Sequence, residues 1–547
     1  MELECRRDRA GLAARSGEVP VIDGSIQTFP LTLDRILEHA AKWHPEAEVV
    51  TAGESVNRRV GYASLAQRAR KVSRILSEFG VAPGTRVATL AWNSQAHVEA
   101  WYAIMGMGAV CHTLNPRLTA TQLAWMLGQS DARILIVSAD LLPLAMQIVA
   151  EARLERILVI DGDAENVNAG AIELLALESL IERAAGDFKW GGFDECAPSG
   201  LCFTSGSTGA PKGVTYTHRS SFLHTLRLLQ AEVLGLKCTD VVLPVVPMFH
   251  ANAWGLPFAV PATGAKLVLP GRRTDGASLA RLIAAEQVTI AVGVPTVWLG
   301  LCEHLETTGI RLPSLKRIVV GGAPMPPALM ERIEQRLGVT VQTSWGMTEL
   351  SPVGTFGVLS DSVRNAALSG RPALGVDLML ADENGEPLQN QRDREGRLHV
   401  RGAAVIERYF GQEHPAITTE GWFDTGDLAR IDAQGNLMIT GRAKDLIKSG
   451  GEWINPAEIE AVVCALPQVS LAAVIGRSDH KWGERPILLV ELREDQDISD
   501  QDLLESLRGR VASWWIPDAV VRVPSMPLAA TGKIDKIRLR AAFSASC

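Results

Sequence analysis

The sequence predicts an α/β fold: a large N-terminal region of layered α/β sheets with a small β subdomain, then a small α+β region at the C-terminal end. Three observations lead there. Short apolar strands alternate with amphipathic helices up to about residue 370, the pattern of layered, largely parallel sheets. Beyond it, short strands follow one another across turns such as Glu383-Asn384-Gly385 and Gln434-Gly435-Asn436. From near Arg442, roughly a hundred residues carry their own αβ pattern, enough for a small domain.

In chain order, Thr32–Trp43 places Leu33, Ile36, Leu37, Ala40 and Ala41 at helical spacing, and Ala63–Phe79 repeats it with Leu65, Ala69, Val72, Leu76 and Phe79. The turn Pro83-Gly84 precedes a strand at Val87–Leu90, and helical Val98–Met107 leads to the turn Asn115-Pro116. Ile134–Val137 and Ile157–Ile160 read as strands, Asp163–Asn168 and Lys189–Gly192 as surface loops. Arg219–Leu234 reads as a helix; Val241–Val246, Lys266–Leu269, Thr289–Val292 and Arg317–Val320 read as strands. Val339–Thr343 runs into Ser344-Trp345-Gly346-Met347-Thr348-Glu349. Val376–Leu380, Gly396–Arg401 and Leu437–Thr440 are the strands of the β subdomain. The last segment gives helix Pro456–Ala465, strands Leu471–Ile475 and Ile487–Glu491, and helix Asp500–Ala512. Ligands of open α/β sheets sit beyond the carboxyl ends of strands, so the loops there should converge on one site.

Composition narrows the class. At 547 residues, 47% hydrophobic and 21% charged, the chain reads as a soluble enzyme of two or more domains. A net charge of -8 carries no nucleic-acid footprint. Eight cysteines with no CxxC pair argue for reduced thiols in a cytoplasm, against a disulfide framework or a zinc site. The N-terminal MELECRRDRAGLAARSGE lacks an apolar h-region, so no signal peptide is expected. Val241–Val260 imitates a membrane span, but its internal prolines, His250 and Asn252 favour a buried strand followed by a pocket-lining loop.

The chemistry centres on Leu201–Val214, LCFTSGSTGAPKGV. An apolar strand end is followed by hydroxyls and glycines, then by Pro211-Lys212-Gly213. Glycines let backbone amides approach an anion, Ser and Thr add donors, and a Lys supplies a point charge for phosphate. The loop is not a Walker A loop, because Pro211 falls where its second Gly should stand; nor does it fit the dinucleotide fingerprint.

This stretch resembles the signature of the adenylate-forming superfamily, which includes acyl- and aryl-CoA synthetases, peptide-synthetase adenylation domains and beetle luciferase. The resemblance covers roughly residues 30 to 540, with its motifs in order. Thr204–Val214 resembles the phosphate loop, Val246–Gly255 the opening of the acyl pocket, Gly321–Pro324 and Ser344–Glu349 the adenine-binding segments. Trp422–Asp427 resembles the ribose-binding segment, Gly441–Asp445 the hinge, Gly450–Trp453 a glycine loop used in thioester formation, and Pro527–Lys533 the catalytic-lysine motif. The residues around Val246–Trp254 and Lys448–Trp453 most resemble medium- and long-chain fatty acyl-CoA synthetases.

The resemblance implies an N-terminal adenylate-forming domain, 1–441, and a mobile C-terminal lid domain, 442–547. It implies a carboxylic acid, ATP with Mg²⁺, and CoA as a co-substrate, with no nucleic acid and no membrane span; a homodimer is kept as an alternative to a monomer. ATP or AMP would be held by Thr204, Ser205, Gly206, Ser207, Thr208, Gly209, Lys212, Gly322, Ala323, Pro324, Ser344, Trp345, Gly346, Met347, Thr348, Asp427, Arg442 and Lys533. Glu349 is the candidate Mg²⁺ ligand, with Thr204 or Thr208 sharing the ion. Trp345 offers adenine an aromatic face or is a core aromatic; Asp427 accepts from the ribose hydroxyls, and Arg442 suits ribose or phosphate. Catalysis would fall to Lys533, Lys212, Glu349, Thr204 and Arg442. Lys448, Gly450, Gly451 and Trp453 would serve the thioester step, with Lys444 as the hinge.

On the acid side, Met248–Trp254 holds no carboxylate, which argues against an α-amino acid whose ammonium would be buried unpaired. His250, Asn252, Trp254, Val294, Gly321 and Gly346 would line an apolar acyl pocket, with Trp254 gating it; His250 either meets the carboxylate end or is a satisfied core histidine. Three other readings remain at this stage: an enzyme passing acyl-AMP to a carrier-protein thiol, a non-catalytic nucleotide- or acyl-binding protein, and a luciferase-like oxygenase.

Overall fold

The computed structural model describes residues 24–162, 172–204, 211–359, 365–450, 452–529 and 533–543. Residues 24–30 are irregular chain, and Leu31–Cys547 forms one compact unit. Among the described residues, two large sheets and one smaller sheet organise that unit.

The first large sheet has seven strands, in the order Glu173–Ala176, Arg156–Ile160, Ile134–Ser138, Arg86–Leu90, Val110–Thr113, Pro198–Phe203, Gly213–Thr217. All pairs are parallel except the last, where Cys202 faces Val214 in an antiparallel hairpin. In the second sheet Glu48–Thr51, Lys266–Leu269, Val241–Pro244, Ile290–Gly293, Arg317–Val320 and Thr340–Gly346 run parallel. It continues through Val353–Phe356 and Leu368–Pro372 into the antiparallel strands Val376–Ala381, Glu395–Gly402, Phe423–Ile431 and Leu437–Arg442, which are the expected β subdomain. The smaller sheet is built from Ile447–Ser449, Glu452–Ile454, Val469–Asp479, Gly483–Leu492 and Ala519–Arg522.

The main core joins the two large sheets. Helix Gln95–Gly106 is buried all round, so it shows no amphipathic stripe, and Trp101, Tyr102 and Phe258 pack edge and face within 6 Å. No described helix is long and apolar enough to cross a membrane, and the Val241–Val260 stretch divides into a strand, a short irregular turn and helix Leu256–Thr263.

Three expectations need correction. The helix after the phosphate hairpin is His218–Leu228 and not Arg219–Leu234: it is capped by Thr217 and Ser220, and the chain beyond it turns back, with Leu234 N–H on Leu228 O. The helix expected at Asp500–Ala512 is Asp500–Glu505, because the chain turns through Gly509 at φ 70°, and a further helix, Lys536–Phe543, follows it. Lys189–Gly192 is a surface loop at Lys189 and Gly192 but not at Trp190. Trp190 is buried over Gly106, donates its indole N–H to Ser73 Oγ at 2.8 Å and lies beneath the Arg70 guanidinium. Trp190→Ala should lower unfolding stability by about 3–5 kcal/mol, read from the denaturant midpoint. An equally large loss from Lys189→Ala would assign the effect to the loop backbone. Asp163–Asn168 lies outside the described residues. Strand Val110–Thr113 and helix Ala120–Ser130, capped by Thr119 and Gln122, had no expectation attached to them.

Candidate active site

Strand Pro198–Phe203 delivers Thr204 to the mouth of the cleft, and Gly213–Thr217 carries the chain away. The base of the loop is closed by Thr204 N–H on Lys212 O at 2.9 Å and Lys212 N–H on Thr204 Oγ1 at 3.3 Å. Ser205, Gly206, Ser207, Thr208 and Gly209 lie outside the described residues. Lys212 is exposed, and its ammonium stands 4.7 Å from the centre of the Tyr409 ring.

Strand Thr340–Gly346 ends in the segment that holds Glu349. The chain doubles back there: Met347 N–H reaches Pro352 O, and a Cβ on Gly346 would stand 2.3 Å from that same oxygen. Glu349 is 7% exposed, and the Tyr409 hydroxyl donates to its Oε1 at 2.9 Å. Burial raises its carboxyl above the usual range; the Tyr409 hydrogen bond and the charges of Arg442 and Lys212 oppose that rise.

Asp427 and Arg442 face each other across two antiparallel strands. Arg442 Nε meets Asp427 Oδ1 at 2.6 Å, and the Trp345 indole N–H donates to Oδ2 at 3.0 Å. Each oxygen of this carboxylate keeps a further acceptor position toward a ligand. Trp345 itself is buried against Gly354, nearer the core-aromatic reading than an open face.

Lys533 comes from the C-terminal segment, anchored by Ala529 N–H on its own carbonyl. It stays exposed to solvent in the cleft, yet crowding by protein and then the charge of Arg442 lower its ammonium to about 8, against the pull of Asp427 and Glu349. Water at that exposed surface screens part of the effect. The mutual influence of Lys533, Arg442, Asp427 and Glu349 puts four charged candidates around one space. His250 joins them: burial, Lys533 and Arg117 lower it to about 4, so it is a neutral imidazole at physiological pH.

The apolar wall begins at His250. Ala251, Asn252, Ala253 and Trp254 all have φ between 45° and 55°, a single turn of left-handed backbone. Asn93 anchors the approach to it, donating to the carbonyls of Pro244 and Val246 and accepting from Met248 N–H. Asn252 is buried toward Gly200, whereas Trp254 lies along Gly321 and Gly322. A Cβ on Gly321 would stand 2.9 Å from the Trp254 ring, and one on Gly322 would meet Val294 and that ring at 3.5 and 3.7 Å. Ser344 Oγ donates to Val320 O beneath the same wall. Ala323, Pro324 and Thr348 sit on the loops that end these strands, with Thr348 O taken by the Tyr216 hydroxyl.

Lys448, Gly450 and Trp453 keep to the smaller sheet. Lys448 and Trp453 are cross-strand partners with the ammonium 5.4 Å from the ring centre, and Gly450, at φ 60°, donates to Trp482 O under the Trp482 ring. Gly451 lies outside the described residues. Lys444 sits in the short turn Ala443–Asp445 between the Arg442 strand and the smaller sheet, and Asp445 receives Arg540 at 2.7 Å. The structure therefore brings Lys212, Glu349, Asp427, Arg442, Lys533 and His250 within electrostatic reach of one another, while Lys448, Gly450 and Trp453 make their contacts within the smaller sheet.

Two organising residues have no counterpart in the motif reading. Asn93 follows the carboxyl end of strand Arg86–Leu90, so the strand-end rule could have marked it. Tyr409 lies in irregular chain between Arg408 and Phe410, where neither periodicity nor composition singles it out.

The chain belongs to the AMP-binding enzymes: the family model "AMP-binding enzyme" matches residues 37–410, and "AMP-binding enzyme C-terminal domain" matches 458–533. Within that family it is an AMP-forming acid–CoA ligase. It is 40% identical to the 3-methylmercaptopropionyl-CoA ligase of Ruegeria lacuscaerulensis over 95% of this chain and 98% of that one. It is also 40% identical to the medium-chain-fatty-acid–CoA ligase of Ectopseudomonas oleovorans, over 94% and 97%. The crystal structure of ATP-bound MatB from Rhodopseudomonas palustris superposes with a TM-score of 0.83 at 25% identity, covering 94% of this chain and 99% of that one.

Proposed function

We propose that the protein activates a linear aliphatic or thioether carboxylic acid of short to medium length. The observation that carries this reading is the Trp254 ring seated directly on Gly321-Gly322, so close that one added methyl on Gly321 would strike the indole, which fills the space a branched or aryl acid would need. A wall closed in that way suits an unbranched chain, and two of the 40% identical relatives are named for a thioether acid and for medium-chain fatty acids.

In this reading the carboxylate oxygen attacks the α-phosphorus of ATP and pyrophosphate leaves, giving acyl-AMP. The CoA thiol then attacks the acyl carbon, its proton is lost to solvent, and AMP leaves. Charge crowding among anions is the obstacle in the first step, and fixed cations reduce it. Lys533 neutralises charge between the carboxylate and the α-phosphate, Lys212 and Arg442 hold phosphate or ribose oxygens, and Asp427 accepts from the ribose. Neutral His250 leaves the acid's carboxylate as the anion that Lys533 pairs with. Among the described residues no group of three His, Cys, Asp or Glu could hold a metal by itself. That fits Mg²⁺ arriving on the phosphates of ATP, with Glu349 as its one protein carboxylate and a hydroxyl such as that of Thr204 beside it. When bound, the ion supplies positive charge to the phosphate oxygens.

The second step belongs to the smaller sheet. Residues 442–547 act as a lid that turns about Lys444 and brings Lys448, Gly450 and Trp453 to the acyl-AMP. The free thiols of Cys111, Cys202 and Cys302, all buried, suit a reducing cytoplasm. A pyrophosphate-release screen over a ladder of linear, branched and aryl acids, with and without CoA, tests the substrate class. Linear acids of short to medium length should lead, and Trp254→Ala should move the preference toward bulkier acids with little change in the KM for ATP. A uniform loss across the ladder would make Trp254 a packing residue and remove the argument from the closed wall.

A further inference from the structure

One side chain links two phosphate-handling elements that are far apart in the sequence. Tyr409 donates its hydroxyl to Glu349 Oε1 at 2.9 Å, and its ring stands 4.7 Å under the Lys212 ammonium. Its backbone neighbourhood is tied to the same two elements. Ile406 N–H donates to Glu349 O at 2.9 Å, and Phe410 N–H donates to Gly213 O at 2.8 Å. The segment is thus pinned on one side to the acid and on the other to the residue after the lysine. Phe423 flanks the ring edge-on at 6.3 Å, which limits its rotation.

We propose that Tyr409 is a positioning residue for adenylation, holding the Glu349 carboxylate and the Lys212 ammonium in register for the metal and the phosphates of ATP. The inference rests on the reading of Glu349 as the Mg²⁺ carboxylate. Glu349 is buried, and the Tyr409 hydroxyl is the side-chain donor set against its carboxylate. The hydroxyl takes one acceptor position and orients the other oxygen, as hydrogen-bonded partners of ligating carboxylates do. The ring acts on Lys212 by cation–π attraction, which keeps an exposed, flexible ammonium near the loop in the absence of phosphate.

The two functions of one side chain can be separated. Tyr409→Phe keeps the ring and loses only the hydroxyl. Its Mn²⁺ dissociation constant, titrated by electron paramagnetic resonance in the presence of a non-hydrolysable ATP analogue, should rise about 10-fold. The Mg²⁺ concentration for half-maximal adenylation should rise with it, while the KM for ATP at saturating Mg²⁺ stays near that of the parent. Tyr409→Leu removes both contacts and should add a several-fold rise in that KM. Both variants should convert supplied acyl-AMP and CoA to the thioester at the parent rate. An unchanged Mn²⁺ constant in Tyr409→Phe would overturn the proposal, as would equal loss in both half-reactions, which would mark a structural role. Glu349→Gln serves as the control in the same titration. If it too leaves Mn²⁺ binding unchanged, the metal reading of Glu349 has failed; if it weakens binding and Tyr409→Phe does not, only the role of Tyr409 has failed.

Discussion

Lys533→Ala should lose ATP-dependent adenylation by about 10²–10³-fold while converting supplied acyl-AMP and CoA to acyl-CoA at near the parent rate. The reason is geometric. Lys533 shares its space with Arg442, Asp427 and Glu349, where charge gathers when two anions meet, whereas Lys448, Gly450 and Trp453 make their contacts within the smaller sheet. A cation needed only for the first step should be dispensable in the second. The pH profile adds a sign. The ammonium is the active form, and its pKa lies near 8, below that of an ordinary lysine. The kcat/KM for adenylation, which reports the free enzyme, should therefore fall as pH rises through about 8. Lys533→Arg stays charged throughout and should lose that limb even if it is slower. Intact adenylation in Lys533→Ala, or equal loss in both half-reactions, would remove the assignment.

Glu349→Gln is expected to lower adenylation about 10²-fold, most severely at limiting Mg²⁺, because the amide keeps the shape and the contact with Tyr409 but not the charge. Stability should move the other way. The folded state raises the Glu349 carboxyl, so it disfavours the charged form, and the ionised residue destabilises the fold at neutral pH. That penalty fades as pH falls through the raised value. Glu349→Gln should therefore match or exceed the parent in thermal midpoint at neutral pH, measured by calorimetry, with the difference shrinking in mild acid. A variant that unfolds earlier than the parent would recast Glu349 as a structural acid, and turnover unchanged at limiting Mg²⁺ would exclude it from metal binding.

Parallel strands were the most legible part of this fold. Lys266–Leu269 and Arg317–Val320 are each a basic residue followed by three apolar ones, and both appear with the bounds that pattern suggests. Helix ends were less legible, because Leu228 and Glu505 end their helices through backbone turns that apolar spacing does not encode. Trp190 shows a third limit: flanking Lys and Gly residues imply a surface loop, but the indole fills a gap left by Gly106, and only the packing of two distant segments reveals it. At the site, residues in contiguous motifs, such as Lys212, Glu349 and Asp427, were visible from their order along the chain. The bond between Tyr409 and Glu349 spans 60 residues through irregular chain, and the pairing of Trp345 with Asp427 spans 82. Such contacts exist only once the sheets are assembled.

The left-handed turn Ala251–Trp254 bears on how this enzyme could change its diet. Positive φ is sterically poor for L-residues and worst for β-branched ones, so Val, Ile and Thr are effectively closed to these four positions. At Trp254 the accessible replacements are unbranched, aromatic or very small, which turns the wall into a coarse dial with few settings. The facing side is freer in one place only: Val294 opens a helix with ordinary backbone angles, whereas Gly321 is hemmed in by Ser344 and the indole. Drift toward new acids should therefore accumulate first at Val294, with Trp254 changing rarely and in large steps.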